Sequence, residues 1–322
     1  MTTPLVSVLM TAYNRERYIA AALDSVLAQS FGDFELLVVD DCSKDATAEI
    51  ARAYEGRDSR VRVVVNERNL GQFGNRNVAV ELARGTLLKY HDSDDLMYPH
   101  CLAAMVPSML AYPEAAFGLT TGKDWPGGPC PMLLTPRLSY QREFLGSGMF
   151  NAGPSGAIFR ADALRALGGF EDFGIPSDFL FWLRACATVP VLLLPADLFW
   201  YRVHPAQELQ SERAEREYAV IIRAVWAALA DEACPLTPDE REQARRNVIA
   251  TQVKLLWRDV RARRFAAARL RWAAGPRVSE WLRCLGRPRR DVWAGTPLAT
   301  DGGFVTPRLR PPDDYGAAPV TS

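Results

Sequence analysis

The chain has 322 residues, with 38 Lys and Arg against 38 Asp and Glu, 48% hydrophobic residues and 24% charged residues. No apolar run approaches the roughly 20 residues that cross a bilayer. A chain of this length buries a sizeable core without disulfides or a structural metal. Collagen-like, mucin-like, disordered and integral-membrane classes are therefore excluded.

The zero net charge hides an asymmetry between the two ends of the chain. Residues 1–210 carry 18 basic and 24 acidic side chains, a balance of −6, and residues 211–322 carry 20 and 14, a balance of +6. We expect the two regions to meet different partners. The six cysteines include no C-x-x-C pair, which indicates reduced thiols, and no signal-peptide pattern precedes Leu5. A cytoplasmic location is expected.

The first 120 residues alternate between strand and helix patterns. Strands are predicted over Leu5–Met10, Phe34–Val39, Val61–Val65, Thr86–Tyr90 and Ala115–Thr121, with helices between them, among these Phe73–Arg84 and Pro99–Tyr112. This alternation predicts a parallel, doubly wound sheet. Ligands bind to such a sheet outside the carboxyl ends of its strands.

The rest of the chain divides into three stretches. Residues 123–137 are rich in proline and glycine and predict a loop, after which the strand Ala157–Phe159, the helix Phe179–Ala187 and the strand Val191–Leu194 continue the same domain to about residue 210. Residues 212–290 have a helical pattern. Residues 291–322 lack an apolar period and are expected to be disordered.

Three polar clusters directly follow predicted strands, at Thr11–Asn14, Asp40–Ser43 and Asp92–Asp95. In Asp92-Ser-Asp-Asp95, three carboxylates repel one another unless they are solvated or neutralised. Mg²⁺ or Mn²⁺ is the natural counter-ion, and it commonly shares its coordination shell with substrate phosphates. The cluster predicts either a metal site for a nucleoside diphosphate or a solvated acidic turn.

Two other polar features have both a functional and a structural interpretation. The Asp40-Asp41 pair could bind a base or a ribose, or could cap the next helix. Arg76, near a predicted helix start, could pair with a phosphate or form an exposed salt bridge. The sequence contains no Walker motif and no G-x-G-x-x-G, which argues against an NTPase and against a dinucleotide-dependent dehydrogenase.

The chain resembles the family 2 glycosyltransferases of the GT-A fold in ordered blocks: V-S-V-L-M-T-A-Y-N-R, F-E-L-L-V-V-D-D-C-S-K-D, A-R-G-T-L-L-K-Y-H-D-S-D-D and L-G-G-F-E-D. The resemblance covers residues 5 to about 208. It implies an α/β fold, a GT-A type Rossmann-like mostly parallel sheet flanked by helices, here with a C-terminal helical extension. The implied domains are a GT-A catalytic domain over 1–210, a basic helical extension over 211–290 and a tail over 291–322. Within the catalytic domain, residues 1–122 would bind the nucleotide sugar and residues 123–210 would bind the acceptor.

The implied activity is that of an inverting glycosyltransferase in glycan or glycoconjugate biosynthesis. It would move a sugar from a nucleoside-diphosphate sugar, most often a UDP-sugar, to the hydroxyl of a glycan, a lipid-linked compound or a small molecule, with Mn²⁺ or Mg²⁺ as cofactor. Two rivals remain. A sugar nucleotidyltransferase should carry a Gly-rich basic loop after the first strand, where this chain has T-A-Y-N-R. A non-catalytic nucleotide-sugar-binding or assembly protein would bind without turnover.

The resemblance also assigns site residues. Those matching nucleotide-sugar positions are Thr11, Tyr13, Asp41, Arg76, Asp92 and Asp94, and those matching metal positions are Asp94, Asp95 and His204. Asp178 matches the catalytic base, in a Ser177-Asp178 pair where the family more usually has two acidic residues. Glu171 and Asp172 are alternative bases. A purely structural role is the alternative for His204.

Basic residues and tryptophans alternate near the end of the chain. Lys254–Arg290 contains 12 basic and 2 acidic residues, together with Trp257, Trp272 and Trp281. One interpretation is a peripheral contact with anionic lipid at the inner face of a membrane. The other is a helical cap whose tryptophans pack on the catalytic domain. Nucleic acid is not an expected partner, because no recognised binding motif accompanies the charge.

Overall fold

Strands and helices alternate in the computed structural model, which describes residues 3–120, 130–204 and 214–275. The strands are β1 (Val6–Ala12), β2 (Phe34–Asp40), β3 (Val61–Val65), β4 (Leu87–Asp92), β5 (Leu96–Met97), β6 (Phe117–Thr120), β7 (Met132–Leu134), β8 (Ala157–Arg160), β9 (Val191–Leu194) and β10 (Phe199–Trp200). The helices are α1 (Ile19–Leu27), α2 (Thr47–Glu55), α3 (Gly71–Leu82), α4 (Cys101–Ala111), α5 (Pro136–Leu145), α6 (Ala161–Ala166), α7 (Ser177–Ala185), α8 (Ala214–Ala230), α9 (Pro238–Arg261) and α10 (Phe265–Ala274).

Eight strands form one sheet in the order β3-β2-β1-β4-β8-β6-β9-β7. The first four are mutually parallel, and β6 is parallel to β9. Strands β7 and β8 run antiparallel to their neighbours. The predicted mostly parallel α/β sheet is therefore confirmed, but it is mixed in its second half. A short apolar strand buried on both faces has the same sequence pattern in either direction, so the sequence did not reveal this reversal.

The sheet separates two apolar cores. Along β1, Leu9 belongs to the core on the α3 side, and Val8 and Met10 belong to the core on the α1 side. Successive side chains of a strand point to opposite faces, so one apolar run serves both cores. These two cores hold the strand ends, and hence the loops that follow them, in fixed positions.

Two elements begin inside the stretch 123–137 that was predicted to be loop. Strand β7 lies within it, and Pro136 is the first residue of α5, where the Thr135 hydroxyl accepts a hydrogen bond from Leu138 N at 3.3 Å. Proline at the first position of a helix has no amide hydrogen to leave unpaired, so here it starts a helix. Residues 121–129 lie outside the described ranges of the chain.

Helices α8 and α9 complete the core on the α3 side. Val225 and Leu229 of α8 and Ala244 of α9 are buried in the same cluster as Phe117 of β6. Polar contacts add to this packing, since Asn247 donates to Phe144 O at 3.0 Å. The helical pattern predicted over 212–290 is found over 214–274, and the rest of it, with the tail over 291–322, lies outside the described residues.

Two broader expectations concern membrane spans and cysteines. None of the helices in the described ranges is long and apolar enough to cross a membrane. Five of the six cysteines lie in those ranges, and all five are thiols without a disulfide. Cys284 lies outside them.

Candidate functional site

The carboxyl ends of three parallel strands stand level at one edge of the sheet. Thr11 of β1 is opposite Asp92 of β4, and Ala12 is opposite Asp40 of β2. The polar clusters after these strands therefore meet in one crevice, as the strand pattern predicted.

The loops after β1 and β2 are joined by hydrogen bonds. Asn14 N donates to Ser43 Oγ at 2.9 Å, and Lys44 N donates to Asn14 Oδ1 at 2.8 Å. Asn14 adopts a left-handed φ of 52°, which Asn tolerates better than most residues. Thr11 is partly buried at the strand end and Tyr13 is 42% exposed. Both lie at the strand end and loop where a nucleobase was expected, and their contact with it stays a prediction.

Asp41 lies behind the crevice and caps α3. Its carboxylate accepts hydrogen bonds from Leu70 N at 2.9 Å, Gly71 N at 3.0 Å and Asn66 Nδ2 at 2.8 Å, and the residue is only 2% exposed. A carboxylate at a helix N-terminus is stabilised by the amides that end there. Asp41 therefore caps a helix, as one of the two interpretations of the Asp pair predicted, although the capped helix is α3 rather than α2. Its contact with a base or a ribose stays a prediction.

Arg76 is buried beneath two carboxylates on different elements. Its guanidinium lies 2.7 Å from Asp92 Oδ1 and 3.6 Å from Asp178 Oδ1, and the residue is 1% exposed. Burial alone would raise the pKa of Asp92, but the pairing with Arg76 outweighs it and holds that pKa below its ordinary value. The alternative of an exposed salt bridge is therefore wrong, because Arg76 forms a buried bridge between two carboxylates. Its pairing with a phosphate stays a prediction.

Asp178 lies in the first turn of α7, one residue after Ser177. The Ser177 hydroxyl accepts from Phe173 N at 2.8 Å and donates to Gly174 O at 2.7 Å. Ser177 therefore fixes the preceding loop and leaves Asp178 as the carboxylate that faces Arg76. The alternative base Glu171 forms a salt bridge with Arg184 on the surface.

A short segment folds back over the Asp92–Asp95 loop. Strand β10 pairs antiparallel with β5, and the segment that follows, residues 201–204, we call the strap. Within the strap, Arg202 N donates to Asp95 Oδ1 at 3.0 Å, and Arg202 Nε donates to Asp94 O at 2.7 Å. These bonds bring His204 Nε2 to 3.0 Å from Asp94 Oδ2.

The predicted metal ligands are only partly brought together. Asp94 and His204 are in contact, whereas Asp95 is 1% exposed and turned toward the strap amide. Burial, reinforced by Asp92 and Asp94, raises the pKa of Asp95 to about 8. Within the described ranges, no three His, Cys, Asp or Glu side chains form a group that could hold a metal ion.

The Asp94–His204 pair nevertheless fits a divalent ion. One carboxylate and one imidazole nitrogen, already within 3.0 Å of each other, are suitable donors for Mn²⁺. Mg²⁺ and similar ions usually take one or two protein ligands and complete their shell with substrate phosphates and water. A site of two protein ligands would therefore leave positions open for water and for the oxygens of a substrate diphosphate.

Three further residues shape this site and were not singled out from the sequence. Arg15 Nε donates to Asp94 Oδ2 at 2.9 Å, and the Tyr18 ring stacks on His204 with centroids 4.7 Å apart. Asn77 of α3 bonds both N and O of Phe170, which fixes the start of the loop leading to α7. Arg15 follows the first strand within T-A-Y-N-R, and this position after a strand end could have identified it from the sequence.

The Asn77 contact depends on a glycine turn. Gly168 and Gly169 have φ values of 78° and 67°, and a Cβ added to Gly169 would lie 2.5 Å from Asn77 Oδ1. Only glycine combines this backbone conformation with so close an approach. The G-G pair of the L-G-G-F-E-D block therefore positions the segment that carries Asp178.

The chain is similar to known proteins in both sequence and fold. A family model described as "Glycosyl transferase family 2" matches residues 7–168, half of the chain. A putative teichuronic acid biosynthesis glycosyltransferase of Bacillus subtilis, TuaG, is 46% identical over 92 residues, which is 29% of this chain and 36% of that protein. The Escherichia coli UDP-Glc:alpha-D-GlcNAc-diphosphoundecaprenol beta-1,3-glucosyltransferase WfgD is 40% identical over 106 residues, or 33% and 41% of the two chains.

Two solved structures share the fold. S. aureus TarS in complex with UDP-GlcNAc has a TM-score of 0.57 at 24% identity, covering 74% of this chain and 70% of that one. The mannosyltransferase PcManGT from Pyrobaculum calidifontis, in complex with GDP-Man and Mn²⁺, has a TM-score of 0.59 at 18% identity, covering 85% and 74%. The matches to TuaG and WfgD span about two fifths of the length of those relatives or less. On the match over residues 7–168, the chain belongs to glycosyl transferase family 2.

Proposed function

We propose that the protein is an inverting glycosyltransferase that moves a sugar from a nucleoside-diphosphate sugar to an acceptor hydroxyl. The observation that carries this proposal is the Arg76 bridge, which joins Asp92 of the strand-end cluster to Asp178 of α7. It brings a candidate base to the same crevice as the carboxylates expected to hold the donor. Direct transfer of the sugar requires the base and the donor-binding carboxylates to lie close together.

The donor side of the crevice is formed by Thr11, Tyr13 and the Asp92–Asp94 segment. We propose that the nucleoside lies against Thr11 and Tyr13 and that its diphosphate lies near Asp94, His204 and Arg15. A divalent ion held by Asp94 and His204 would neutralise charge on the diphosphate. Arg15, 26% exposed at its side chain, would supply a further positive charge to the leaving group.

The acceptor side is formed by the start of α7. We propose that Asp178 accepts the proton of the acceptor hydroxyl while that oxygen bonds to the anomeric carbon, as the bond from that carbon to the diphosphate oxygen breaks. The acceptor oxygen approaches from the face opposite the nucleoside diphosphate, which leaves with the bonding pair, and this opposite-face attack inverts the configuration. Asp178 is 26% exposed at its side chain and thus open to a substrate, whereas Arg76 acts through the two carboxylates and positions them.

The relatives favour particular substrate classes. The WfgD name specifies a UDP-glucose donor and a diphosphoundecaprenol acceptor, and TarS is bound to UDP-GlcNAc. PcManGT is bound to GDP-Man and Mn²⁺. We therefore propose a UDP-sugar as donor, a lipid-linked hydroxyl compound as acceptor and Mn²⁺ or Mg²⁺ as cofactor.

The first experiment measures nucleoside-diphosphate release by the purified full chain from UDP-, GDP- and dTDP-sugars, with and without Mn²⁺ or Mg²⁺. Calorimetric titration with the same nucleotides runs in parallel. We expect metal-dependent release from one UDP-sugar, increased by the matching acceptor.

Each of the other possible results leads to a different conclusion about the function of the protein. Tight binding without release from any donor, with lipid-linked acceptors supplied, indicates the nucleotide-sugar-binding alternative. Pyrophosphate release from a nucleoside triphosphate and a sugar phosphate indicates a nucleotidyltransferase. Failure of the folded protein to bind any nucleotide in the presence of metal contradicts the whole assignment.

A further inference from the structure

The helix pair α9–α10 exposes large aromatic side chains to solvent. Trp257 is 61% exposed, Phe265 is 64% exposed and Trp272 is 46% exposed. Exposed basic side chains surround them in the sequence: Lys254, Arg258, Arg261, Arg263, Arg264 and Arg269. We call these aromatic and basic side chains together the arginine–aromatic surface. Of the two interpretations of this segment, the cap with packed tryptophans does not describe Trp257 and Trp272.

The opposite side of the helix pair fixes this surface to the protein. Ala267, Ala268 and Ala274 of α10 are buried, and α10 packs against both α8 and α9. The exposed side chains are therefore carried by a folded element rather than by a flexible peptide. Trp257 lies one turn before the end of α9 and Phe265 begins α10, so both are next to the turn that joins the helices.

The charge of the surface has one sign. Residues 254–275 contain seven basic residues and one acidic residue, Asp259. Asp259 is 1% exposed, and its carboxylate pairs internally with Arg264 and, at 3.1 Å, with Arg271. No carboxylate of this segment is left at the surface to offset the arginines, and the segment has a balance of +6.

Exposed tryptophan and phenylalanine combined with arginine are typical of helices that lie in a lipid interface. Their rings insert at the level of the headgroups, and the flanking cations bind anionic lipid. Three large aromatic side chains exposed on one helix pair are unusual for a surface that contacts only water. We propose that the arginine–aromatic surface docks the protein on an anionic phospholipid membrane.

Charge complementarity favours an anionic membrane as the partner of the arginine–aromatic surface. An anionic membrane attracts the basic end of the molecule, whereas residues 1–210, with their balance of −6, are repelled from it. Nucleic acid would also attract the arginines, but it offers no apolar layer for Phe265 and Trp257. The inference goes beyond the proposed function and is tested without turnover.

The experiment measures co-sedimentation of the purified full chain with vesicles of phosphatidylcholine, with and without phosphatidylglycerol. One variant combines Trp257→Ser, Phe265→Ser and Trp272→Ser, and a second combines Arg261→Glu and Arg269→Glu. The matched control combines Arg52→Glu and Arg57→Glu, two exposed arginines at α2 that give the same change of net charge. Circular dichroism and the melting temperature verify that each variant is folded.

We expect the wild type to bind vesicles that contain phosphatidylglycerol and to bind pure phosphatidylcholine much more weakly. Each variant of the surface should lower the partition coefficient by about tenfold or more, because each cation near such a membrane contributes a severalfold factor. The control should retain binding. UDP affinity should be unchanged in all three, since none of these residues lies in the crevice.

Several results would overturn the inference. The first is wild-type protein that does not bind anionic vesicles. The second is surface variants that bind vesicles as well as the wild type does. The third is a control variant whose vesicle binding falls as much as that of the charge-reversal variant. Gel filtration tests a second copy as occupant, and a shift from dimer to monomer in the aromatic variant would assign the surface to self-association. Binding of a DNA oligonucleotide in preference to vesicles, lost in the same variants, would assign it to nucleic acid. A failed nucleotide assay leaves all these outcomes unaffected.

Discussion

Arg76 is one of the largest side chains that the fold buries completely, and its surroundings explain why its charge is tolerated there. The guanidinium lies over the rings of Phe73 and Tyr90 as well as beside its two carboxylates. Although burial opposes the charged form, Asp92 and Asp178 raise the pKa of Arg76 above its ordinary value. A buried guanidinium is retained only where its partners are in place, so Arg76 also determines where those partners sit.

The first prediction concerns Asp178. We expect Asp178→Asn to lower kcat for sugar transfer by at least about 100-fold, because an amide of nearly the same shape cannot accept the proton. UDP affinity and the melting temperature should change little. The control is Asp172→Asn, which removes an alternative base and should transfer at a near wild-type rate. Near-wild-type turnover by Asp178→Asn would refute the assignment of the base.

The second prediction concerns the bridge. Arg76→Lys keeps the charge, but an ammonium group cannot present two parallel donors to two carboxylates. We expect kcat to fall about 10- to 100-fold through misplacement of Asp178, with a much smaller change in the Kd for UDP. The control is Arg246→Lys in the exposed i,i+4 pair with Glu242 on α9, which should be nearly neutral. Equal losses in kcat and in UDP affinity would mean that Arg76 contacts the nucleotide.

At the scale of single elements, the strap shows how a short segment positions His204, the proposed metal ligand. Only Phe199 and Trp200 pair with β5, yet this pairing aims the following residues back over Asp94. Tyr18, at the start of α1, lies against both strap side chains, since its ring stacks on His204 and lies 5.2 Å from the Arg202 guanidinium. One aromatic ring thus connects α1 with the strap.

The third prediction follows from this contact. Tyr18→Ala should weaken Mn²⁺ binding in the presence of UDP by several-fold, because His204 loses the surface that orients it. Tyr18→Phe retains the ring and should bind Mn²⁺ as the wild type does. Electron paramagnetic resonance titration of Mn²⁺ measures both. If Asp94→Asn also leaves Mn²⁺ affinity unchanged, the ion is held elsewhere.

Much of this arrangement could be predicted from the sequence, because it depends on patterns among residues that are close together in the chain. Apolar runs that end in Asp or Thr identify the strands and the side of the sheet where the crevice lies. The contacts of Asp41 with Leu70 and of Asn77 with Phe170 are different, because they join residues 29 and 93 positions apart. Such pairings depend on how helices pack over the sheet, which no local pattern contains. The sequence offered capping as one role of the Asp40-Asp41 pair, but that Asp41 caps α3, and that Asn77 holds Phe170, came only from the structure.

At the scale of the whole molecule, the C-terminal helices and the sheet depend on each other. Leu229 of α8 is fully buried in the core that also contains Trp182 of α7 and Phe159 of β8. The helix that carries Asp178 is thus supported by residues far along the chain. The helical extension contributes to the stability of the catalytic region as well as covering it.

The fourth prediction tests this dependence. Leu229→Ala should lower the free energy of unfolding by about 2–5 kcal/mol, through lost burial and a residual cavity. Circular dichroism and UDP protection should report one shifted transition. Val220→Ala, at a position of the same helix that is 37% exposed, should change it by no more than about 0.5 kcal/mol. Two separate transitions, with only the helical one shifted, would show that the extension folds independently.

If the nucleoside lies against Tyr13, as we propose, the interlocked loops after β1 and β2 limit how donor preference can change. Asn14 is tied to Ser43 and Lys44, and Asp41 behind them is tied to the start of α3, so the wall beside Tyr13 is already ordered before any ligand arrives. Binding to such a wall needs little ordering of the protein. A substitution at one loop alone breaks bonds in its neighbour. On this proposed placement, we expect retargeting to another nucleobase to require coordinated replacement of both loops, and we expect single substitutions at the exposed positions around α7, the proposed acceptor side, to change the acceptor.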